Sequence, residues 1–586
     1  MQTTWSLDVL YRGYDDPKWQ ADCQALTQKL VDFTELVGKL SLGDPVQNLE
    51  QALLCLEQIE SLSNGLANFA GLQSSANTQD AESASMEGKI FDLLAELDGP
   101  QSVLSQFVAH LPDLDACIAK SELLQQYEYL LHNMAKDRRY LLSEQEERLL
   151  SKMNLSGAVA WSNLQANLTS SVPVECDGKT LTLSTVRNMA YDPNPAVRKA
   201  AYSAELACYD RIKDPVAFCL NSIKLQVLNE CKLRGFASPL AQALYKSHMK
   251  PETLHAMWMA IDEYLPTFWS YLRAKAEALG HENGLPWYDL FAPMGKNDRR
   301  YTVEEARDTL LELFAGFDEE LHDMAEQAFA EGWIDFYPRE GKVGGAFDCG
   351  LPTVQQSRVL TNFDGAYGDL VTLAHELGHA FHDRMTFSHR PLNLSYSMPV
   401  AETASTFNEN IVNHAALERA KSKEEKLAIL ESMLTDTTQI ICDIYSRYLF
   451  ETAVFENRSE EFMPADKLCD MMLQAQKTAY GDGLDQSVLH PYMWICKSHY
   501  YSGDISFYNF PYAFGGLFAR GLYALYQRDG AAFVPRYKAL LHATTVTDVE
   551  DAAAMAGIDL TDVEFWRSSL QSLAQDVDAF IALLKD

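Results

Sequence analysis

The chain has 586 residues, 47% hydrophobic and 22% charged, with a formal charge of −34 from 82 acidic against 48 basic side chains. Such a composition belongs to a folded globular body, too long for one compact core, and argues against disorder. A surface this acidic repels phosphate backbones and anionic headgroups, so the expected partners exclude nucleic acid and membrane.

Eleven cysteines lie singly between Cys23 and Cys496, with no Cys-x-x-Cys pair, so they read as buried reduced thiols rather than a zinc ribbon or a redox motif. The start, Met1-Gln-Thr-Thr-Trp-Ser, lacks a basic segment followed by an apolar one, and no apolar run approaches the roughly 20 residues needed to span a bilayer. A cytoplasmic location is expected.

Helical periodicity dominates the first half. Leu26, Leu30, Phe33 and Val37 form a single stripe, and comparable stripes recur at 48–72, 83–97, 121–135 and 143–153, separated by breakers such as Gly43-Asp-Pro and Gly99-Pro. Asp177-Gly178 between two β-prone runs predicts a hairpin near 172–183. Helix then resumes at Pro195 and continues to about 280. The expected organisation is an N-terminal helical lobe, 1–190, with the hairpin near its end, followed by a larger domain, 191–586.

Glycines 341, 344, 345 and 350 mark a change of texture, leading into a β-prone segment at Ser357–Phe363 and then Leu373-Ala-His-Glu-Leu-Gly-His-Ala-Phe-His. Here Asp369 is expected to cap a helix whose buried stripe is Leu373, Leu377, Ala380 and Phe381. His375 and His379 stand one turn apart on the same face, where two imidazoles converge on one metal ion. Glu376, turned about 100° away, misses the ion but reaches a water beside it. Chance alone would produce His-Glu-x-x-His in roughly one chain in forty of this length, so the helical context carries the reading.

Zinc requires a third protein ligand. Position 385 is Met, which removes the spacing with a third His ten residues after the first, and His382 lies on the same straight helix. Glu402 and Glu409, two turns apart in the next helical stretch, are the better candidates: one can ligate while the other holds a ligand histidine by its second ring nitrogen.

At these residues the chain resembles the oligoendopeptidase F and thimet oligopeptidase family of zinc peptidases. The resemblance is to the oligoendopeptidase F branch in Gly344-Gly-Ala-Phe, Asn362-Phe-Asp-Gly, Thr372-Leu-Ala-His-Glu-Leu-Gly-His-Ala-Phe-His and Val400-Ala-Glu-Thr-Ala-Ser-Thr-Phe-Asn-Glu. It implies one Zn²⁺ per chain held by His375, His379 and Glu402, with Glu376 as catalytic base and Glu409 behind a ligand histidine. It further implies His499, Tyr508 and Tyr512 as catalytic groups. The segment Val359, Leu360, Thr361 and Asn362 would be the strand edge to which an extended substrate adds. The implied fold is mainly α, two-lobed, with a small β-sheet beside a deep channel that admits short unstructured peptides. Pro511, between the two tyrosines, must then sit at a first turn or a kink.

The expected activity is hydrolysis of internal bonds of short oligopeptides by a metal-activated water. Co²⁺ or Mn²⁺ would also suit such ligands. A carboxypeptidase or dipeptidyl carboxypeptidase would need a basic side chain for the substrate's terminal carboxylate, for which Arg390, Lys497 and Arg520 are nearby in sequence. A non-catalytic peptide-binding protein is opposed by the intact His375, Glu376 and His379.

Overall fold

The computed structural model describes residues 2–585. It is mainly helical, with a two-stranded and a three-stranded sheet. The stripe of the first helix, Pro17–Val37, is buried as expected, and Asp16 caps it by accepting from the Lys18 amide. The hairpin forms from β1 (Val174–Cys176) and β2 (Lys179–Leu181), and its turn residues Asp177 and Gly178 both take positive φ, 50° and 73°. That is the geometry Asp-Gly supplies at little cost.

Two apolar cores organise the chain. One is built from residues between Trp5 and Leu131 joined by Leu351 and Leu360, and the other from residues between Ala158 and Phe580. The hairpin and the segment preceding residue 190 therefore pack into the larger core, through Val174, Cys176, Leu183 and Val186. A half-buried ion pair joins the cores: Arg390 donates to both oxygens of Glu57, whose carboxylate also accepts from the buried Tyr127 hydroxyl.

The three-stranded sheet comprises β3 (Ile334–Asp335), β4 (Phe347–Leu351) and β5 (Gln356–Leu360), in the order β3-β5-β4. β5 pairs parallel with β3 and antiparallel with β4, so both of its backbone edges are occupied. This corrects the expectation that Val359, Leu360, Thr361 and Asn362 form a substrate-accepting edge. Val359 and Leu360 are buried in the middle strand, the Thr361 amide donates to the Asp335 carbonyl, and the Asn362 side chain donates to the carbonyls of Val343 and Gly345. The free edge belongs to β4. Asn362 instead pins the glycine loop leading into it, together with Lys342, whose buried ammonium donates to the Asp335 carboxylate at 2.8 Å and to three backbone carbonyls.

The His-Glu-x-x-His sequence lies on the helix Tyr367–Thr386, with Leu373, Leu377, Ala380 and Phe381 buried. Asp369 is three residues inside this helix rather than before it; its carboxylate reaches back to accept from the amides of Ala366 and Asp364. The next helix, Thr403–Arg419, crosses it closely at Gly378, where an added Cβ would lie 2.5 Å from the Ala404 carbonyl oxygen and the Ser405 Cα. Farther along the motif helix, the Asp383 carboxyl packs against β4, where Gly350 leaves it room, and interacts with the carboxyl of Asp348. Burial raises Asp383 to about 6; burial together with the neighbouring Asp383 and Glu376 carboxylates raises Asp348 well above the usual range.

Two predictions follow from these contacts. Gly378→Ala should lower stability by about 1–3 kcal/mol in urea unfolding, because backbone rather than a movable side chain obstructs the methyl group. Gly368→Ala on the same helix, where an added Cβ meets nothing within 4 Å, should not. The carboxyl pair holds a proton in the native state that an unfolded Asp, titrating near 4, releases. Its contribution to stability is therefore complete below about pH 4 and declines as pH rises through about 6 and beyond. Asp348→Asn, whose amide can donate to Asp383 without a bound proton, should flatten that decline by about 1–3 kcal/mol between pH 6 and 8.5; parallel curves for the two proteins would refute it.

Candidate metal centre

Three ligand-type atoms converge where the two crossing helices meet. His375 Nε2 and His379 Nε2 are 3.1 Å apart, and Glu402 Oε2 lies 3.3 Å from the first and 3.4 Å from the second. The histidines project from successive turns of the motif helix, while Glu402 immediately precedes the helix Thr403–Arg419 and is oriented by a 2.8 Å hydrogen bond from the Ser405 hydroxyl. Four ligands placed 2.0–2.1 Å from a zinc ion form a tetrahedron with edges of about 3.3 Å. The three measured separations match one face of that tetrahedron, and two nitrogens with one carboxylate oxygen are a donor set zinc accepts.

Around this triangle the second ring nitrogen of His375, Nδ1, is held by Glu409 Oε1 at 2.5 Å. A carboxylate there fixes a proton on Nδ1, so that a cation in the triangle would take the place of the second proton on Nε2. The charges agree with a cation-seeking site. Burial pulls the His375 imidazolium down, but the Glu402 and Glu409 carboxylates outweigh it and raise the group to about 10. Burial raises Glu402, yet His375 and His379 hold it well below the usual carboxylate range. Glu376 is only 5% exposed, and burial keeps its carboxyl raised despite the two histidines. His382 stands outside the group: its Nε2 bonds the Thr544 hydroxyl at 2.8 Å, its ring stacks on Tyr396, and burial lowers it to about 3.

Two cavities adjoin the triangle. One, of ≈ 420 Å³, is lined by His375, Glu376 and Ala346 from the loop before β4. The other, of ≈ 390 Å³, is lined by His375, Glu402 and Tyr512. Tyr512 stands in the first turn of the helix Phe510–Asp529, so Pro511 occupies the first turn, where a proline nitrogen loses no hydrogen bond. His499, Tyr508 and Tyr512 pack as one aromatic group, with ring centroids 4.6, 5.5 and 6.0 Å apart. Burial, then Arg447 and Lys497, lower His499, leaving it neutral. Burial and the Tyr508 hydroxyl raise Tyr512, keeping its O–H protonated. The arrangement places three ligand-type atoms between a buried carboxylate and a phenolic donor, each lining one of the two cavities that meet at His375.

One lining residue, Asp436, has no counterpart in the sequence expectations. It borders both cavities, and burial, then Glu409 and Glu431, raise it to about 7. It precedes a wide π-type turn, Gln439–Asp443, that joins the helices Lys423–Thr438 and Ile444–Arg458. Such turns often occur at functional sites, but neither the turn nor the aspartate has a sequence signature.

Comparison with known proteins agrees with this geometry. The protein-family model described as Peptidase family M3 matches residues 188–572, and one described as Oligopeptidase F matches 112–172. Oligopeptidase PepF of Bacillus subtilis is 25% identical to this chain, covering 100% of it and 87% of its own length. Group B oligopeptidase PepB of Streptococcus agalactiae is 24% identical, covering 96% and 94%. Among solved structures, a peptidase from Chlamydophila abortus superposes with a TM-score of 0.84 at 20% identity, covering 99% of this chain and 98% of that one. Oligoendopeptidase-F from Enterococcus faecium gives 0.70 at 18%, covering 96% and 98%. Those structural likenesses speak for the shared helical fold, and the family match, spanning well over half of the sequence, makes this chain a peptidase of family M3, on its oligoendopeptidase F branch.

Proposed function

We propose that the protein is a zinc-dependent endopeptidase of short, unstructured peptides. The observation that carries this reading is the triangle of His375, His379 and Glu402, with edges of 3.1–3.4 Å, beside a buried carboxylate, Glu376. The relatives named oligopeptidase support the substrate class.

His375, His379 and Glu402 would hold the ion, and Glu409 would keep His375 in the ligating tautomer. A divalent cation bound there supplies Lewis acidity, polarising the scissile carbonyl and making a water acidic. An extended peptide lies along the free edge of β4, its backbone paired with the strand. Glu376 removes a proton from the attacking water and delivers it to the departing amine; its burial raises its proton affinity towards what that two-way transfer needs. Tyr512 donates its hydroxyl proton in a hydrogen bond to the developing oxyanion, and Tyr508 and His499 orient it. No side chain needs to act as a nucleophile.

A cytoplasmic location goes with this reading. The eleven cysteines are unpaired thiols suited to a reducing compartment, and among the described residues no helix is long and apolar enough to cross a membrane.

Two measurements test the assignment. Glu376→Gln should retain about one zinc per chain by elemental analysis while cleavage of an internally quenched oligopeptide falls by at least ~10³. Near-normal cleavage by that variant would remove Glu376 from the mechanism. Glu409→Ala should weaken zinc binding by about 10–100-fold in competition with a chromogenic chelator, with the metal-saturated variant recovering part of its activity. Unchanged affinity would mean Glu409 does not support the ligand.

A further inference from the structure

Beyond the metal cluster lies a third cavity, of ≈ 270 Å³, lined by residues of several helices and sharing Asp436 with the two cavities at the triangle. Its walls carry Tyr191, Tyr202 and Trp287 together with three cations, Arg187, Arg198 and Lys497. Two of the cations are already matched. Arg187 donates to Glu205 and to the Tyr209 hydroxyl, both at 3.1 Å, and Arg198 donates to Asp289 at 2.7 Å with both groups buried. The third is not. Among the described residues no carboxylate lies within 4.0 Å of the Lys497 ammonium, and the ammonium makes no hydrogen bond. Asp443, a carboxylate whose charge acts on it, is paired with Arg447.

A half-buried ammonium without a partner is costly, and a ligand carboxylate would satisfy it. The two other cations that the sequence offers for a peptide terminus are occupied. Arg390 is committed to Glu57 and Gln126, and Arg520 is buried against Asp576, Asn410 and His414. Lys497 also stands two residues before His499, whose ring packs on Tyr512 at the metal-side cavity.

We propose that Lys497 receives the C-terminal carboxylate of the bound peptide, so that this cavity anchors the end of the substrate and measures cleavage from it. The proposal rests on the peptidase reading above and adds a specificity-determining residue to it. An ion pair of this kind would make short peptides with a free terminus better ligands than longer or blocked ones. Asp436, at the junction, discourages a charged terminus from stopping there and leaves Lys497 as the cationic end-point.

The test separates this proposal from the peptidase reading by measuring binding without turnover. A fluorescent peptide is titrated into zinc-loaded Glu376→Gln protein as the free acid and as the C-terminal amide, and again with Lys497→Met and Lys497→Arg added. The acid should bind at least about tenfold tighter than the amide. Lys497→Met should bring the ratio close to one, and Lys497→Arg should restore most of it. Equal binding of acid and amide before Lys497 is changed, or a ratio that survives Lys497→Met, overturns the proposal. An amidated peptide carrying a glutamate side chain near its end decides the carboxylate's source; binding as tight as the free acid would overturn terminal recognition in favour of side-chain recognition. Circular dichroism of each variant establishes that it is folded, and Lys497→Arg carries the test should Lys497→Met fail to fold. Loss of peptide cleavage by the wild-type enzyme with zinc in place would count against the peptidase reading, whatever these ratios show.

Discussion

Everything at the centre of this protein depends on how closely two helices cross. The metal triangle takes two corners from one helix and the third from the start of the next, and Glu402 reaches the histidines because nothing larger than hydrogen stands at Gly378. The same crossing carries Glu409 to the back of His375, so one geometric condition serves both the triangle and the carboxylate behind one of its corners. A third helix closes the arrangement. At Gly515 an added Cβ would lie 3.2 Å from Glu402 Cβ, and three residues earlier the same helix presents Tyr512. Close packing of small residues against functional ones converts a sequence spacing into a fixed site.

The strand beside the site is fixed by different means. Its approach loop is rich in glycine and would be mobile alone, but Lys342 and Asn362 hold it by hydrogen bonds to backbone carbonyls from within the sheet. The edge of β4 is thus presented in one conformation, which lowers the entropy lost when another extended chain pairs with it. Residues expected to touch the substrate instead support the loop and strand beside the metal triangle.

Parts of this site were legible in the sequence because they obey local periods. His375 and His379 on one face, the buried stripe around them, and the Asp177-Gly178 turn all follow from spacing within a few residues. Glu402 and Glu409 could be found as a pair, but which one ligates depends on where two helices cross, and resemblance rather than periodicity separated them. The order of the three strands was not legible. Ser357–Phe363 has strand character whether central or at an edge, and only pairing partners decide between them. Asp436 carried no signal, since its role comes from burial beside a wide helical turn formed by distant contacts. Likewise Lys497, Arg390 and Arg520 look equivalent as sequence; their differences lie in partners up to hundreds of residues away.

The middle strand also has a role in how the whole chain holds together. Neighbouring residues of β5 point to opposite faces, so Val359 enters the core built from residues after 158, while Leu360 joins Leu351 in the core of the first 131 residues. The N-terminal helices are therefore roofed in part by the strands that border the cleft. Cutting the chain between the lobes would strip water-excluding cover from Leu351 and Leu360 and leave an oily patch on the sheet. The N-terminal helices therefore share part of their apolar cover with the sheet that carries the strands beside the metal triangle.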